Sequence, residues 1–307
     1  MNPLLGIGLK TCSVLLFIIM ASLVKAASEH VPPGEAVFFR SFFALLVILT
    51  WVTWKGELRT GLKVKSPMGH FWRGFIGTSS MGLGFAALGL LPLPEVTALG
   101  YAAPILTVVF AAMFLDERVG IFRISAVALG LSGVFIVLAP RLSAFSGSTV
   151  QTVQAVGAVL ALMAAVCSAL SQIYTRKLVQ SEKTSAIVFY FSLTSTLLSL
   201  LTIPFGWVLP SAPEVVLLVL AGLLGGMGQI FLTSAYRFAD ASLVAPFDYV
   251  SMLFALLIGY LVFSEVPTST MLIGAALVIS AGIIIILREA QLGIKHARAR
   301  SVKTPQG

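Results

Sequence analysis

The sequence predicts an all-α integral membrane protein of ten transmembrane helices in two five-helix halves, and three observations carry that prediction. Of the 307 residues, 58% are hydrophobic and only 10% charged, with a mean hydropathy of +1.01, well outside the range of a soluble domain. Ten apolar stretches, most of them about 20 residues long, follow one another with short polar turns between them, the length a helix needs to cross a bilayer. The third observation is a paired signature. Pro92-Leu-Pro-Glu-Val-Thr-Ala-Leu-Gly-Tyr101, running on through Pro104 to Leu115-Asp-Glu117, is echoed by Ala239-Asp-Ala-Ser-Leu-Val-Ala-Pro246-Phe-Asp-Tyr249 and Phe263-Ser-Glu265. Tyr101 falls on Tyr249 and Glu117 on Glu265.

The first stretch, 5–26, carries Lys10 but otherwise runs unbroken into Leu23-Val24. No small-residue cleavage site follows a short apolar core, so this stretch is expected to remain as a helix and not to leave as a signal peptide. The second, 35–54, contains the run Phe38-Phe-Arg-Ser-Phe-Phe43, and the third, 72–91, carries Gly74, Gly77, Gly82 and Gly84. The fourth, 94–115, opens behind Pro92 and Pro94 and is interrupted by Pro104. The fifth, 120–139, is rich in small residues. The second half repeats the scheme with 154–175, 185–208, the glycine-rich 212–235, the Pro246-interrupted 241–263, and the small-residue stretch 268–287. Cys12-Ser13 with Leu23-Val24 matches Cys167-Ser168 with Leu178-Val179, in the same order.

Only two connections are long, the basic loop Lys55–Phe71 and the Ser-rich linker Arg141–Gln151. The linker divides the chain into a first repeat at 4–139, a linker at 140–153, a second repeat at 154–287 and a basic tail at 288–307. With the N-terminus cytoplasmic, seventeen of the twenty lysines and arginines fall on the cytoplasmic side, only Lys25 and Arg141 lie outside, and Arg40 is left within a span. That asymmetry predicts two cytoplasmic termini. Five spans per half is an odd number, so the repeats are expected to be inverted. The net charge of +8 then reports membrane orientation; nucleic-acid binding would need a soluble basic domain, which the sequence does not contain. The two cysteines, Cys12 and Cys167, are too few for a disulfide framework or a metal cluster and sit in apolar stretches.

The Pro104 and Pro246 helices, the acidic exits at Glu117 and Glu265, and the Gly/Ala-rich fifth and tenth spans together resemble the drug/metabolite transporter superfamily, in its branch with two EamA domains. The resemblance covers 4–287. It implies a multi-pass carrier of the bacterial inner membrane, with helices three, four, eight and nine around a central cavity, a small-molecule substrate, the lipid bilayer as its surroundings and no cofactor. The opening Met1-Asn-Pro-Leu-Leu-Gly-Ile-Gly-Leu-Lys10, with Lys25 and Arg40, resembles uptake members that include riboflavin carriers. Riboflavin is the leading individual expectation; an exporter of amino acids or drugs, and a structural or regulatory membrane protein without transport, are the alternatives.

Charges at bilayer depth are costly and point to candidate sites. Asp248 lies beside Tyr249 and two residues after Pro246, whose missing N–H frees a carbonyl nearby. It reads as a cation or proton site, or as a structural carboxylate held by a neighbouring Ser, Thr or Tyr. Arg40 either snorkels outward or pairs with Glu35 or Glu95, or turns inward to grip an anionic substrate group; Lys25 is open to the same two readings. Glu95 suits the N-terminal dipole of its helix, and Glu117 and Glu265 read as interfacial residues on opposite sides. Tyr101, Tyr249 and Phe247 could present flat faces to a ring, as could Trp72, Phe85, Tyr174 and Tyr236. Gln229, with Gln172, Ser79, Ser80 and Ser251, could read its polar edge. The same aromatics serve equally as core or interfacial belt. The glycine runs of the third and eighth spans allow close helix approach, static or sliding. An intramembrane enzyme would need a nucleophile with a base, or metal ligands, whereas His30, His70 and His296 are expected in loops or the tail. A channel would need a repeated filter or charged ring, and none is visible.

Overall fold

A computed structural model describes residues 3–114, 121–142, 149–238, 245–281, 283, 284 and 287. Glu117, the tail 288–307 and the segments 143–148 and 239–244 lie outside the described residues. Among those described, all regular structure is helical. The helices are α1 (Pro3–Ala27), α2 (Pro33–Trp54), the short α3 (Leu58–Gly61), α4 (Pro67–Leu90), α5 (Leu93–Gly100), α6 (Ala102–Phe114) and α7 (Ile121–Leu142). They continue with α8 (Thr149–Ser181), α9 (Thr184–Leu200), α10 (Ala212–Phe238), α11 (Val250–Phe263) and α12 (Ser269–Ala281). Among the described residues, four segments are long and apolar enough to cross a membrane: Leu4–Ala27, Pro33–Trp54, Thr152–Ser181 and Ala212–Phe238. Leu253, Leu257 and Leu261, one turn apart on α11, are all exposed, an outward apolar stripe of the kind that lipid solvates.

Proline sets several of the boundaries. Pro33, Pro67 and Pro94 stand in the first turns of α2, α4 and α5, where a missing N–H costs nothing. Pro104 acts further back: its ring opposes the carbonyl of Gly100, four residues earlier, and the helix is interrupted at Tyr101, between α5 and α6. In the second half the matching interruption is a 3-10 turn over Ala245–Tyr249 that leads directly into α11. Two boundaries depart from the sequence reading. The stretch expected over 185–208 ends as a helix at Leu200, followed by a 3-10 turn at Ile203–Phe205 and by Gly206 at φ 96, a left-handed conformation that glycine adopts freely. His70, expected in a loop, lies buried in the first turn of α4 with its ring 5.3 Å from that of Tyr190.

The two halves interleave. α1 packs along α10 and α4 along α8, so exchanging the halves exchanges these two contacts; α2 against α10 and α4 against α9 form a second such couple. The glycine runs make this possible. A Cβ at Gly74 would meet Thr194 of α9 at 2.7 Å, and one at Gly222 would meet Phe43 of α2 at 2.5 Å. At Gly226 the nearest neighbour is backbone, since a Cβ there would lie 2.9 Å from the Ala44 Cα. Gly226→Ala is therefore expected to force α2 and α10 apart and to cost about 1–3 kcal/mol, read as a lower Tm of the purified protein.

Two carboxylates tie the loops of one half to helix ends of the other. Glu35, in the first turn of α2, accepts a bond from the Val208 N–H at 3.1 Å, and Glu182, just before α9, accepts from the Lys65 and Ser66 N–H groups at 2.7 and 2.8 Å. Both are buried.

Candidate substrate cavity

Between α1, α4, α8 and α10, and against the two helix interruptions, lies a cavity of about 410 Å³. Both halves contribute to its wall: Lys10, Arg73, Ser80, Tyr101 and Pro104 from the first, and Gln172, Arg176, Phe191, Gln229, Tyr236, Asp248 and Ser251 from the second. Among the charged lining residues, three cations (Lys10, Arg73 and Arg176) face one carboxylate, Asp248. Arg176, one of the lining residues, is exposed.

Asp248 is held by an ion pair. Its Oδ1 lies 2.7 Å from the Nζ of Lys10, whose side chain is 3% exposed against 35% for that of Asp248. The ammonium also stands 5.7 Å from the centre of the Tyr236 ring. The pair joins α1 of the first half to the 3-10 turn of the second, which contains Pro246. Next to it, the Tyr101 hydroxyl lies 2.7 Å from the Ser251 Oγ and donates to the Tyr249 carbonyl at 3.3 Å, while the two tyrosine rings meet edge to face at 5.2 Å. The two positions matched by the repeat are thus in contact, one at each helix break.

The opposite wall is cationic. The Arg73 guanidinium lies 3.6 Å from the centre of the Phe191 ring and its Nε donates to the Thr175 Oγ1 at 3.3 Å. Arg40 lies 5.4 Å from the centre of the same ring, and its Nη2 makes a long 3.5 Å bond to the Gly225 carbonyl. Both arginines are buried, and the Nη1 of Arg73 and the Nε and Nη1 of Arg40 have no hydrogen-bond partner.

Far from Arg176 the helix ends are latched. The Lys25 Nζ is 3.1 Å from the Glu265 Oε1 and donates to the Leu88 and Leu91 carbonyls at 3.1 and 2.7 Å. The other oxygen of Glu265, Oε2, accepts from the Leu93 N–H at 2.9 Å. Lys25 therefore turns inward instead of snorkelling, and Glu265 is a clasp between α11 and the α4–α5 corner.

Of the residues expected at a site, Tyr101, Pro104, Gln229 and Asp248 line the cavity, as do Gln172, Ser80, Ser251 and Tyr236. Tyr249 stands behind Tyr101. Phe247 is half-buried and outside the lining, and the Pro246 side chain lies outside the described residues. Arg40 neither snorkels nor pairs with Glu35, whose carboxylate holds the Val208 N–H; it is buried behind Phe191, away from the cavity surface. Phe85 is core, and Trp72 is exposed. Lys10, Arg73 and Phe191 line the cavity although sequence reasoning did not select them. The signal for Lys10 was a lysine inside an otherwise unbroken apolar stretch.

Comparison with known proteins accords with this geometry. The model of the EamA-like transporter family matches residues 4–139 and 155–288. The chain is 29% identical to an S-adenosylmethionine uptake transporter of Rickettsia felis, over 85% of this chain and 86% of that one. It is 30% identical to a riboflavin transporter of Rhizobium johnstonii, over 87% and 85%. A pseudopaline exporter of Pseudomonas aeruginosa is 31% identical over 90% and 94%. A solved crystal structure shares the fold with a TM-score of 0.67 at 21% identity, covering 94% of this chain and 98% of the other. With both halves matched, the chain belongs to the EamA-like transporter family, a family of membrane transporters and not of enzymes.

Proposed function

We propose that this chain is a secondary carrier that takes up a small metabolite, a heteroaromatic ring bearing a polar tail, across a bacterial inner membrane. The observation that carries the reading is the cavity at the two helix interruptions, walled by both halves and carrying charged and amide side chains within an apolar bundle. Tyr101 and Tyr236 offer flat faces, and Gln172 and Gln229 can bond a ring edge. Riboflavin and S-adenosylmethionine, transported by similar proteins, are the two leading solutes. No nucleotide-binding domain is legible in the sequence, which leaves facilitated flow, exchange or ion coupling to drive flux.

The cycle follows from ten spans in two inverted repeats, with both termini cytoplasmic. In that topology the Arg176 side is cytoplasmic and the Lys25–Glu265 clasp is at the outer end, so the structure stands open inward. Rocking of one half against the other at the glycine-lined contacts exposes the same cavity outward. Reporter fusions after Gly61, Ser146 and Gly307 are expected to read cytoplasmic, outer and cytoplasmic; an outer reading at Gly307 excludes the inverted arrangement.

The substrate test is twofold: growth of a riboflavin auxotroph without its own carrier on low riboflavin, and uptake of labelled S-adenosylmethionine by cells expressing the chain. Saturable flux of at least one is expected, lowered about three- to tenfold in Tyr101→Ala, the scale of one lost aromatic contact. Absence of both, with the protein present in the membrane, removes the ring-and-tail class. Export is the second reading, favoured by the similarity to the Pseudomonas exporter; efflux from preloaded cells outpacing uptake would select it.

A further inference from the structure

Taking the carrier reading as its starting point, we infer that the substrate of this cavity bears an acidic group, a carboxylate or a phosphate, and that Arg73 is the residue that receives it. The structure shows a cationic wall that no carboxylate neutralises among the described residues. Arg73 and Arg40 are 5% and 3% exposed, and neither forms an ion pair with a carboxylate among the described residues. Neighbouring acids are engaged elsewhere: Asp248 with Lys10, Glu182 with the Lys65 and Ser66 N–H groups, and Glu35 with that of Val208.

A buried charge without a partner is expensive, and in a folded protein it is retained where a partner arrives from outside. Arg73 meets the geometric requirement. Its guanidinium rests on the face of Phe191, its Nε is fixed by Thr175, and its Nη1 is buried without a hydrogen-bond partner, in a side chain that lines the cavity. A planar fork so supported presents its N–H groups to an oxyanion without first losing rotamer freedom. Arg40 acts through Phe191: it lies against the same ring from outside the lining and adds a second positive charge, and so serves as a positioning residue. The Lys10–Asp248 pair satisfies itself, so the excess positive charge of the cavity is concentrated at Arg73 and Arg176. Within the proposed class, this favours an anionic solute such as a flavin phosphate over neutral riboflavin.

The test uses the full chain in detergent, with acetate and inorganic phosphate as probes against chloride at matched ionic strength. Both oxyanions are expected to raise the Tm of the wild-type protein by about 2–4 °C over chloride. The shift should vanish in Arg73→Gln and persist, smaller, in Arg73→Lys, which keeps the charge but not the fork. Should Arg73→Gln fail to fold, modification of Arg73 by phenylglyoxal, read by mass spectrometry on the wild-type protein, is expected to slow at least threefold in phosphate. No shift beyond chloride, a shift that survives in Arg73→Gln, or unprotected modification overturns the inference. Saturable flux of a neutral solute without an oxyanion effect would leave the carrier standing and sink the acidic-group assignment. Oxyanion stabilisation that depends on Arg73, with no flux of any solute, would do the reverse.

Discussion

Asp248→Asn is expected to stop net transport while the protein still reaches the membrane. The substitution keeps the shape of the side chain but removes the charge that holds the Lys10 ammonium at 2.7 Å. Lys10 is almost wholly buried, and an ammonium left alone in such a place typically costs 3–5 kcal/mol; because a third of the Asp248 side chain is exposed, solvent screening reduces this to about 1–3 kcal/mol. The mutant is therefore less stable and also lacks the ion pair that ties α1 to the 3-10 turn before α11. The double variant Lys10→Met/Asp248→Asn separates the two effects: it removes the orphaned charge, so its Tm should return toward that of the wild type while flux stays lost. Flux in reconstituted vesicles and Tm in detergent provide the two readouts. Wild-type flux in Asp248→Asn, with unchanged pH dependence, would make the pair a structural tie only.

Glu265→Gln is expected to open the other end. Glu265 holds Lys25 with one oxygen and the Leu93 N–H with the other, and Lys25 in turn holds two carbonyls at the end of α4. The amide can keep the bond to Leu93 but not the ion pair, and the closure loses about 1–3 kcal/mol, an interaction with both partners only 14% exposed. That is a five- to more than hundredfold shift toward the open state, since each 1.4 kcal/mol is a factor of ten. The shift is measurable as faster reaction of a Thr97→Cys thiol, at the cavity wall, with an impermeant maleimide added from outside, in a background lacking Cys12 and Cys167. An unchanged labelling rate would show that the clasp does not gate the cavity.

Much of the architecture was legible because the bilayer restricts the alternatives. Once lipid is the solvent, apolar length and proline position constrain where helices run and where they break, and both interruptions fall beside the prolines that predicted them. The exception was the seventh stretch, where Pro204 and Gly206 ended the helix early although hydropathy continued to Val208. The repeat signature likewise selected Tyr101 and Tyr249, which turned out to touch.

The partners of the charges were not legible. Lys10 and Asp248 are separated by 238 positions, as Lys25 and Glu265 are by 240, and no local period links such residues. Arg73 counted as a loop charge because hydropathy places it at the edge of a span; only the packing of α4 on α8 and α9 carries it inward onto Phe191. The sequence by itself determined that this is a helical membrane protein of duplicated halves with a broken helix in each, because insertion energetics act on local composition. The tertiary structure alone decided which charges are paired, which arginine faces the cavity and which end is latched, because those outcomes depend on how the halves interleave.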